Sequence, residues 1–207
     1  MQILPENQLA LERAAAVIFH GGLIAFRTDT FYGLGVDPLN ATAVARLKTL
    51  KGREDDKPIL LLIADASALD RLIVSRSEIF DHAANRFWPG PVTIIGPATT
   101  VLPYGITAGT ETVGVRLPEA ENVRALVRQC GGVLTATSAN LSGSRPARTA
   151  QEVSEHFPMG IDLIINGGEV TATEPSTVLD VTGVRPRIIR EGAVSREMIG
   201  EALGVLD

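Results

Sequence analysis

Apolar residues recur at helical spacing from Leu9 to Phe19, and Gly21-Gly22 follows at once, which predicts a helix with a glycine stop. The apolar run Leu23 to Phe26 predicts a short strand that leads into Arg27-Thr28-Asp29-Thr30. Asn40 is the expected N-cap of a helix through Leu50, and the charged, Gly52-containing stretch Lys51 to Lys57 is expected to be a loop. Pro58 opens the strand Ile59 to Ile63. Ser75 is the expected cap of an amphipathic helix to Phe87, which Trp88-Pro89-Gly90-Pro91 stops before the strand Val92 to Ile95.

Residues 97–111 mix prolines, glycines and threonines and predict a long loop. Loops of that length in compact domains often close over a site, so this segment is the expected lid. Thr112 to Leu117 alternates like a half-buried strand, Pro118 to Gln129 reads as a helix, and Val133 to Thr137 as a strand. Thr149 with Glu152 forms a capping box for a helix ending near His156. Strands at Leu163 to Ile165, Thr177 to Val181 and Arg187 to Arg190 precede a last helix from Ser195. Several strands follow one another through loops alone. The pattern therefore predicts an α/β fold with a mixed sheet and flanking helices, not regular βαβ repeats, in one domain over residues 1–207.

Composition narrows the class. With 45% hydrophobic and 21% charged residues over 207 positions, the chain is ordinary globular material. Cys130 is the single cysteine, so no internal disulfide forms and a reducing compartment fits best. The N-terminus lacks a basic stretch followed by an apolar run, and the longest apolar runs, Ala14 to Phe19 and Ile59 to Ala64, fall far short of the ~20 residues of a membrane span. A soluble cytoplasmic protein without membrane contact is expected. The formal net charge is -5, whereas a non-specific nucleic-acid binder is usually basic. Any RNA or polyphosphate contact must come from a local cationic patch.

The strong catalytic signatures are missing: no P-loop, no Gly-x-Gly-x-x-Gly after a strand, no His-Glu-x-x-His and no Cys-x-x-Cys. His20, His82 and His156 lie on or beside predicted helices, away from the polar loops, and read as surface or helix-end residues. What remains is a set of strand-edge segments rich in hydroxyls and cations. Thr28-Asp29-Thr30-Phe31-Tyr32-Gly33-Leu34-Gly35 sits at a strand's C-terminal edge, where α/β proteins bind ligands, and its glycines would admit close approach. It reads equally well as a hydroxyl-closed turn. Lys51-Gly52-Arg53-Glu54-Asp55-Asp56-Lys57 offers three cations for phosphate, or a solvated loop whose charges cancel. Alternation puts Thr112, Gly114 and Arg116 on one strand face, suited to an anion or to solvent. Ser138, Asn140 and Ser142 after a strand, and Ser176 with Arg190, supply further donors, or ordinary turns and surface.

In this order the segments resemble the YrdC/TsaC family of threonylcarbamoyl-adenylate synthases. The likeness is carried by Thr28-Asp29-Thr30-x-Tyr32-Gly33-Leu34, Lys51-Gly52-Arg53 with Lys57-Pro58, and Trp88-Pro89-Gly90-Pro91-Val92-Thr93. It continues through Val115-Arg116-Leu117-Pro118, Ser138-Ala139-Asn140-Leu141-Ser142-Gly143, Ser176-Thr177-Val178 and Ile189-Arg190-Glu191-Gly192. Each piece is weak alone, whereas seven in register are specific. The length resembles the short form of the family. Arg27 stands where the family usually has proline, and Leu62 where some longer relatives have a threonine-contacting histidine.

The resemblance implies a twisted sheet around a central basic cavity. It implies that threonine and bicarbonate form a carbamate whose oxygen attacks the α-phosphate of ATP, releasing pyrophosphate. Thr30, Arg116 and Ser176 are then expected to hold threonine, and Arg53, Lys57, Thr112, Ser138 and Arg190 to hold ATP. Lys51 and Asn140 join Arg53 and Ser138 as the catalytic set. Mg²⁺ is expected with ATP rather than in a protein carboxylate cage, with no metal site of the protein's own. Implied partners are tRNA and the tRNA threonylcarbamoyltransferase proteins. The competing reading is a non-catalytic module that binds double-stranded RNA or tRNA through the same cations.

Overall fold

The computed structural model describes residues 1–52, 57–141, 143–204 and 206. Its first half runs β1 (Gln2–Pro5), α1 (Gln8–Phe19), β2 (Ile24–Arg27), β3 (Tyr32–Gly35), α2 (Ala41–Lys51), β4 (Leu60–Ile63), α3 (Leu69–Leu72), α4 (Glu78–Phe87) and β5 (Val92–Pro97). The second half runs α5 (Tyr104–Thr107), β6 (Thr112–Arg116), α6 (Glu121–Gln129), β7 (Val133–Ser138), α7 (Ala150–His156), β8 (Leu163–Asn166), β9 (Thr177–Asp180), β10 (Arg187–Arg190) and α8 (Arg196–Leu203). The strands form one sheet in the order β1-β8-β2-β3-β7-β4-β6-β5-β9-β10. Neighbours are parallel at β1–β8–β2, β4–β6 and β5–β9, and antiparallel elsewhere. This is the single-domain mixed α/β sheet that the strand-after-strand pattern predicts.

Local chemistry explains most boundaries. Asn40 caps α2 through Ala43 N at 3.1 Å, and Gly52 ends it in the left-handed conformation. The cap of α4 is Ser77, not Ser75: Ile73 bridges to Ala98 and Val74 N donates to the Pro97 carbonyl, so the chain stays extended until the Ser77 hydroxyl meets Phe80 N. Thr149 accepts from Glu152 N, as a capping box requires, while the Glu152 carboxylate takes Arg148 N. Two strands are not visible in the pattern. β1 is largely exposed, so it lacks apolar alternation. β3 is fully buried but carries Gly33 and Gly35, residues that weaken strand propensity. A Cβ on Gly35 would lie 2.8 Å from the Phe26 ring, so that glycine serves packing against β2 and not a ligand.

The predicted lid at 97–111 is instead a packed segment. α5 buries Ile106, whose carbonyl accepts from Ile59 N at 2.9 Å, and Gly105 lies so close to Val44 that a Cβ would come within 2.7 Å of it. Prolines and glycines there mark tight turns around a buried anchor, and none of these residues lines the cavity described below.

Alternation divides the sheet's two faces. The main core gathers Leu47 of α2, Phe80 of α4, Val153 of α7 and Ile199 of α8 over Leu34, Leu61 and Ile94. On the other face α1 and α6 cover Ile24, Phe26, Leu134 and Leu163, with Leu62 at the margin. Each such side chain fully buried is worth ~1.5–3 kcal/mol. Among the described residues, the helices of this second face stop at that margin, and the remaining floor of the sheet is open.

Candidate functional site

A cavity of about 430 Å³ occupies that open floor, inside the ~300–1,000 Å³ range of small-molecule sites. Leu60 and Leu62 of β4, Ala136 of β7 and Thr93 of β5 form its base, and Thr30, Arg116, Ser138, Ser176 and Arg190 supply polar groups around it. β6 contributes a gap as well as an arginine. A Cβ on Gly114 would lie 2.5 Å from Leu60 Cδ2 and 3.1 Å from Thr93 Cγ2, so only glycine lets these two close over the strand. Another hollow, beside the C-terminal end of α1, is lined by Ile18, Phe19 and Leu72 and brings none of the predicted site residues together.

Three elements hold the cationic groups. Arg116, at the end of β6, is 4% exposed. Its Nε donates to the Gly90 carbonyl at 2.9 Å, Nη1 reaches Thr30 Oγ1 at 3.4 Å, and Nη2 is ion-paired with Asp29. Burial pushes this guanidinium below its ordinary value, against the opposing pull of Asp29. Arg190 ends β10 and clamps Ser176, donating through Nη2 to the carbonyl at 2.9 Å and to Oγ at 3.2 Å. Burial, and then the nearby Arg116, lower Arg190 too. An anion in the cavity would relieve both the buried Arg116 and the more exposed Arg190, which Arg116 disfavours.

Lys51, in the last turn of α2, is buried, and its ammonium donates to the carbonyls of Ser138 and, at 2.9 Å, of Asn140. It braces the chain where β7 turns away from the sheet. Asn140 closes the same turn by donating to the carbonyls of Leu141 and Ser144, and its buried Oδ1 has no hydrogen-bond partner among the described residues.

The cavity thus collects Thr30, Arg116, Ser138, Ser176 and Arg190, with Lys51 and Asn140 bracing the turn that follows Ser138. Two expected ATP contacts fall elsewhere. Thr112 lies at the opposite end of β6 from Arg116, its hydroxyl 2.9 Å from Thr110 Oγ1, and is not among the residues that line the cavity. Lys57 is exposed and is not among the lining residues. Arg53 and Ser142 lie outside the described residues. His20 and His82 are exposed, and none of the three histidines lines the cavity.

Sequence reasoning missed Thr93, which is buried with Oγ1 3.2 Å from Ser176 Oγ. A lone hydroxyl within the apolar run Val92-Thr93-Ile94-Ile95 was the available signal. It also gave no role to Asp29. Gly192 closes the Ser176 side: a Cβ there would lie 2.2 Å from the Pro175 carbonyl oxygen and 2.8 Å from Ser176 C. Gly192→Ala must therefore displace backbone, and a loss of about 1–3 kcal/mol is expected in urea unfolding. An unchanged midpoint would show that this contact relaxes freely.

Among the described residues, no helix is long and apolar enough to cross a membrane. The Sua5/YciO/YrdC family model, described as telomere recombination, matches residues 16–192. The threonylcarbamoyl-AMP synthase of Pyrococcus abyssi is 39% identical over 191 residues, covering 92% of this chain and 56% of that protein. The Bacillus subtilis threonylcarbamoyl-AMP synthase is 36% identical over 202 residues, covering 97% of this chain and 58% of that protein. The crystal structure of P. abyssi Sua5 complexed with L-threonine is similar with a TM-score of 0.93 at 36% identity, covering 99% of this chain and 60% of that one. The chain therefore spans less than two thirds of the length of these relatives.

Proposed function

The chain belongs to the Sua5/YciO/YrdC family, and from that premise we propose that it is an L-threonylcarbamoyladenylate synthase. The reaction joins L-threonine, bicarbonate and ATP into threonylcarbamoyl-AMP and pyrophosphate. The threonine amine and bicarbonate give a carbamate and water. A carbamate oxygen then forms a bond to the α-phosphorus as the bond to pyrophosphate breaks.

The carrying observation is that two guanidiniums from distant strands, Arg116 and Arg190, face one cavity together with the Thr30, Ser138 and Ser176 hydroxyls. The chemistry needs no protein nucleophile. It needs mutually repelling anions held in contact and charge stabilised on the transferring phosphoryl group. In this reading Arg116 takes the threonine carboxylate, with Thr30 and Ser176 beside it. Ser138 and Arg190 face the phosphates, and the Leu60–Leu62 wall meets the substrate's apolar surface. Among the described residues, no three His, Cys, Asp or Glu side chains gather where an ion could sit. The cavity's hydroxyls and guanidiniums do not fit a directly held divalent cation, so Mg²⁺ belongs to the nucleotide substrate. The product would serve tRNA modification in the cytoplasm, passed on by threonylcarbamoyl-transferring proteins.

The assay is pyrophosphate release with ATP, bicarbonate and each amino acid in turn. Threonine-dependent release is expected. Release with a different amino acid, or none with any, would discard the assignment. The non-catalytic RNA-module reading is disfavoured because Arg116 is reached only from inside a cavity of about 430 Å³, which suits a small molecule and not a duplex backbone.

A further inference from the structure

We propose that Asp29 is a positioning residue, which aims the Arg116 guanidinium so that its remaining N–H groups meet the substrate carboxylate. The proposal rests on the reading of Arg116 as the carboxylate site. A carboxylate beside a cavity meant for a carboxylate, a carbamate and a triphosphate is unfavourable by charge alone. Its presence there therefore requires a reason in the geometry.

The turn that carries Asp29 does not use it. Thr28 Oγ1 accepts from Thr30 N and from Phe31 N, both at 3.2 Å, and donates to the Phe31 carbonyl at 2.6 Å. Aspartates in turns usually accept backbone N–H groups of their own turn. Here the threonine performs that task. Among the described residues, the Asp29 carboxylate has Arg116 as its one hydrogen-bond partner, through Oδ2, while Oδ1 is buried and accepts nothing. A buried acceptor left unsatisfied carries a desolvation cost that the turn itself does not require.

The arrangement also decides between two opposite roles. An aspartate standing in for the substrate would occupy the guanidinium with both oxygens, as bidentate pairs do. Asp29 uses one. Arginine has five N–H donors. Gly90 O takes the one on Nε, Asp29 takes one on Nη2 and Thr30 faces one on Nη1. That leaves one N–H on each Nη to meet a substrate carboxylate. Asp29 and the Gly90 carbonyl are fixed by different strand ends, so together they set the plane of the guanidinium before substrate arrives. Asp29 itself is not among the lining residues, which suits a group acting through Arg116.

The test compares the full chain with Asp29→Asn, and with Asp29→Ser should the first fail to fold. Two readouts are combined: steady-state pyrophosphate release, and hydrogen exchange of the Arg116 Nε–H by nitrogen-15 NMR. The expected result is a KM for threonine raised about 30-fold or more, a KM for ATP changed less than threefold, and Nε–H exchange at least tenfold faster. A purely structural role would lower activity without this split between substrates. Unchanged Nε–H exchange overturns the proposal, as does a threonine KM that stays the same or falls. Faster exchange in a protein whose unaltered form releases no pyrophosphate with threonine would support the positioning and discard the synthase reading, so the two failures are told apart.

Discussion

Arg116→Ala is expected to raise the KM for threonine by about 30- to 1,000-fold, the factor for losing ~2–4 kcal/mol of charge-assisted, bidentate bonding in a desolvated site. The KM for ATP should change far less, because Arg190 and Ser138 remain. Stability should fall as well. Arg116 is 4% exposed and its partner Asp29 would be left as a poorly solvated, unpaired carboxylate, a situation that costs about 3–5 kcal/mol. The double variant Arg116→Ala/Asp29→Ala separates the two losses. Removing the second charge should restore much of the stability and none of the threonine affinity. Equal increases in KM for both substrates would move the carboxylate site away from Arg116.

Lys51→Met is expected to abolish most of the activity and to lower stability by about 3 kcal/mol. Methionine keeps the bulk of the stem but carries no donor, so the Ser138 and Asn140 carbonyls lose their charged partner inside the protein. Ser138 lines the cavity and Asn140 closes the turn that follows it, so the strand end that presents both is freed at once. Lys51→Arg should not rescue, because a planar guanidinium cannot replace a compact ammonium between two converging carbonyls. Urea unfolding and pyrophosphate release check the two effects. Wild-type values in both would show that Lys51 does not brace this turn.

Much of the site was legible because its parts lie at strand ends, where apolar runs break into hydroxyls and cations. Arg116, Ser138, Ser176 and Arg190 stand at such breaks, and all four line the cavity. Thr112 shows the limit of the method. Alternation assigns a residue to a face but says nothing of how far along that face a cavity extends. Residues 97–111 show another. Prolines and glycines look alike in a mobile loop and in tight turns around a buried side chain, and Ile106, an isolated apolar residue, makes the difference. β3 was hidden for a related reason. One of its glycines, Gly35, is there for the Phe26 ring on the neighbouring strand β2, a contact that alternation along a single strand does not show.

Local order was determined by the chain alone: caps at Asn40 and Thr149, the start of the last helix at Ser195, strands from apolar runs, and the mixed α/β class, because hydrogen bonds within a turn and the two periodicities act over a few residues. The meeting of Arg116 with Asp29, of Arg190 with Ser176 and of Lys51 with the end of β7 was decided only by tertiary structure. Strand order brings these pairs together, and it depends on which apolar faces bury against one another across the whole chain. Charge and hydrogen bonding then act over a few ångströms, a distance that separation along the sequence does not encode.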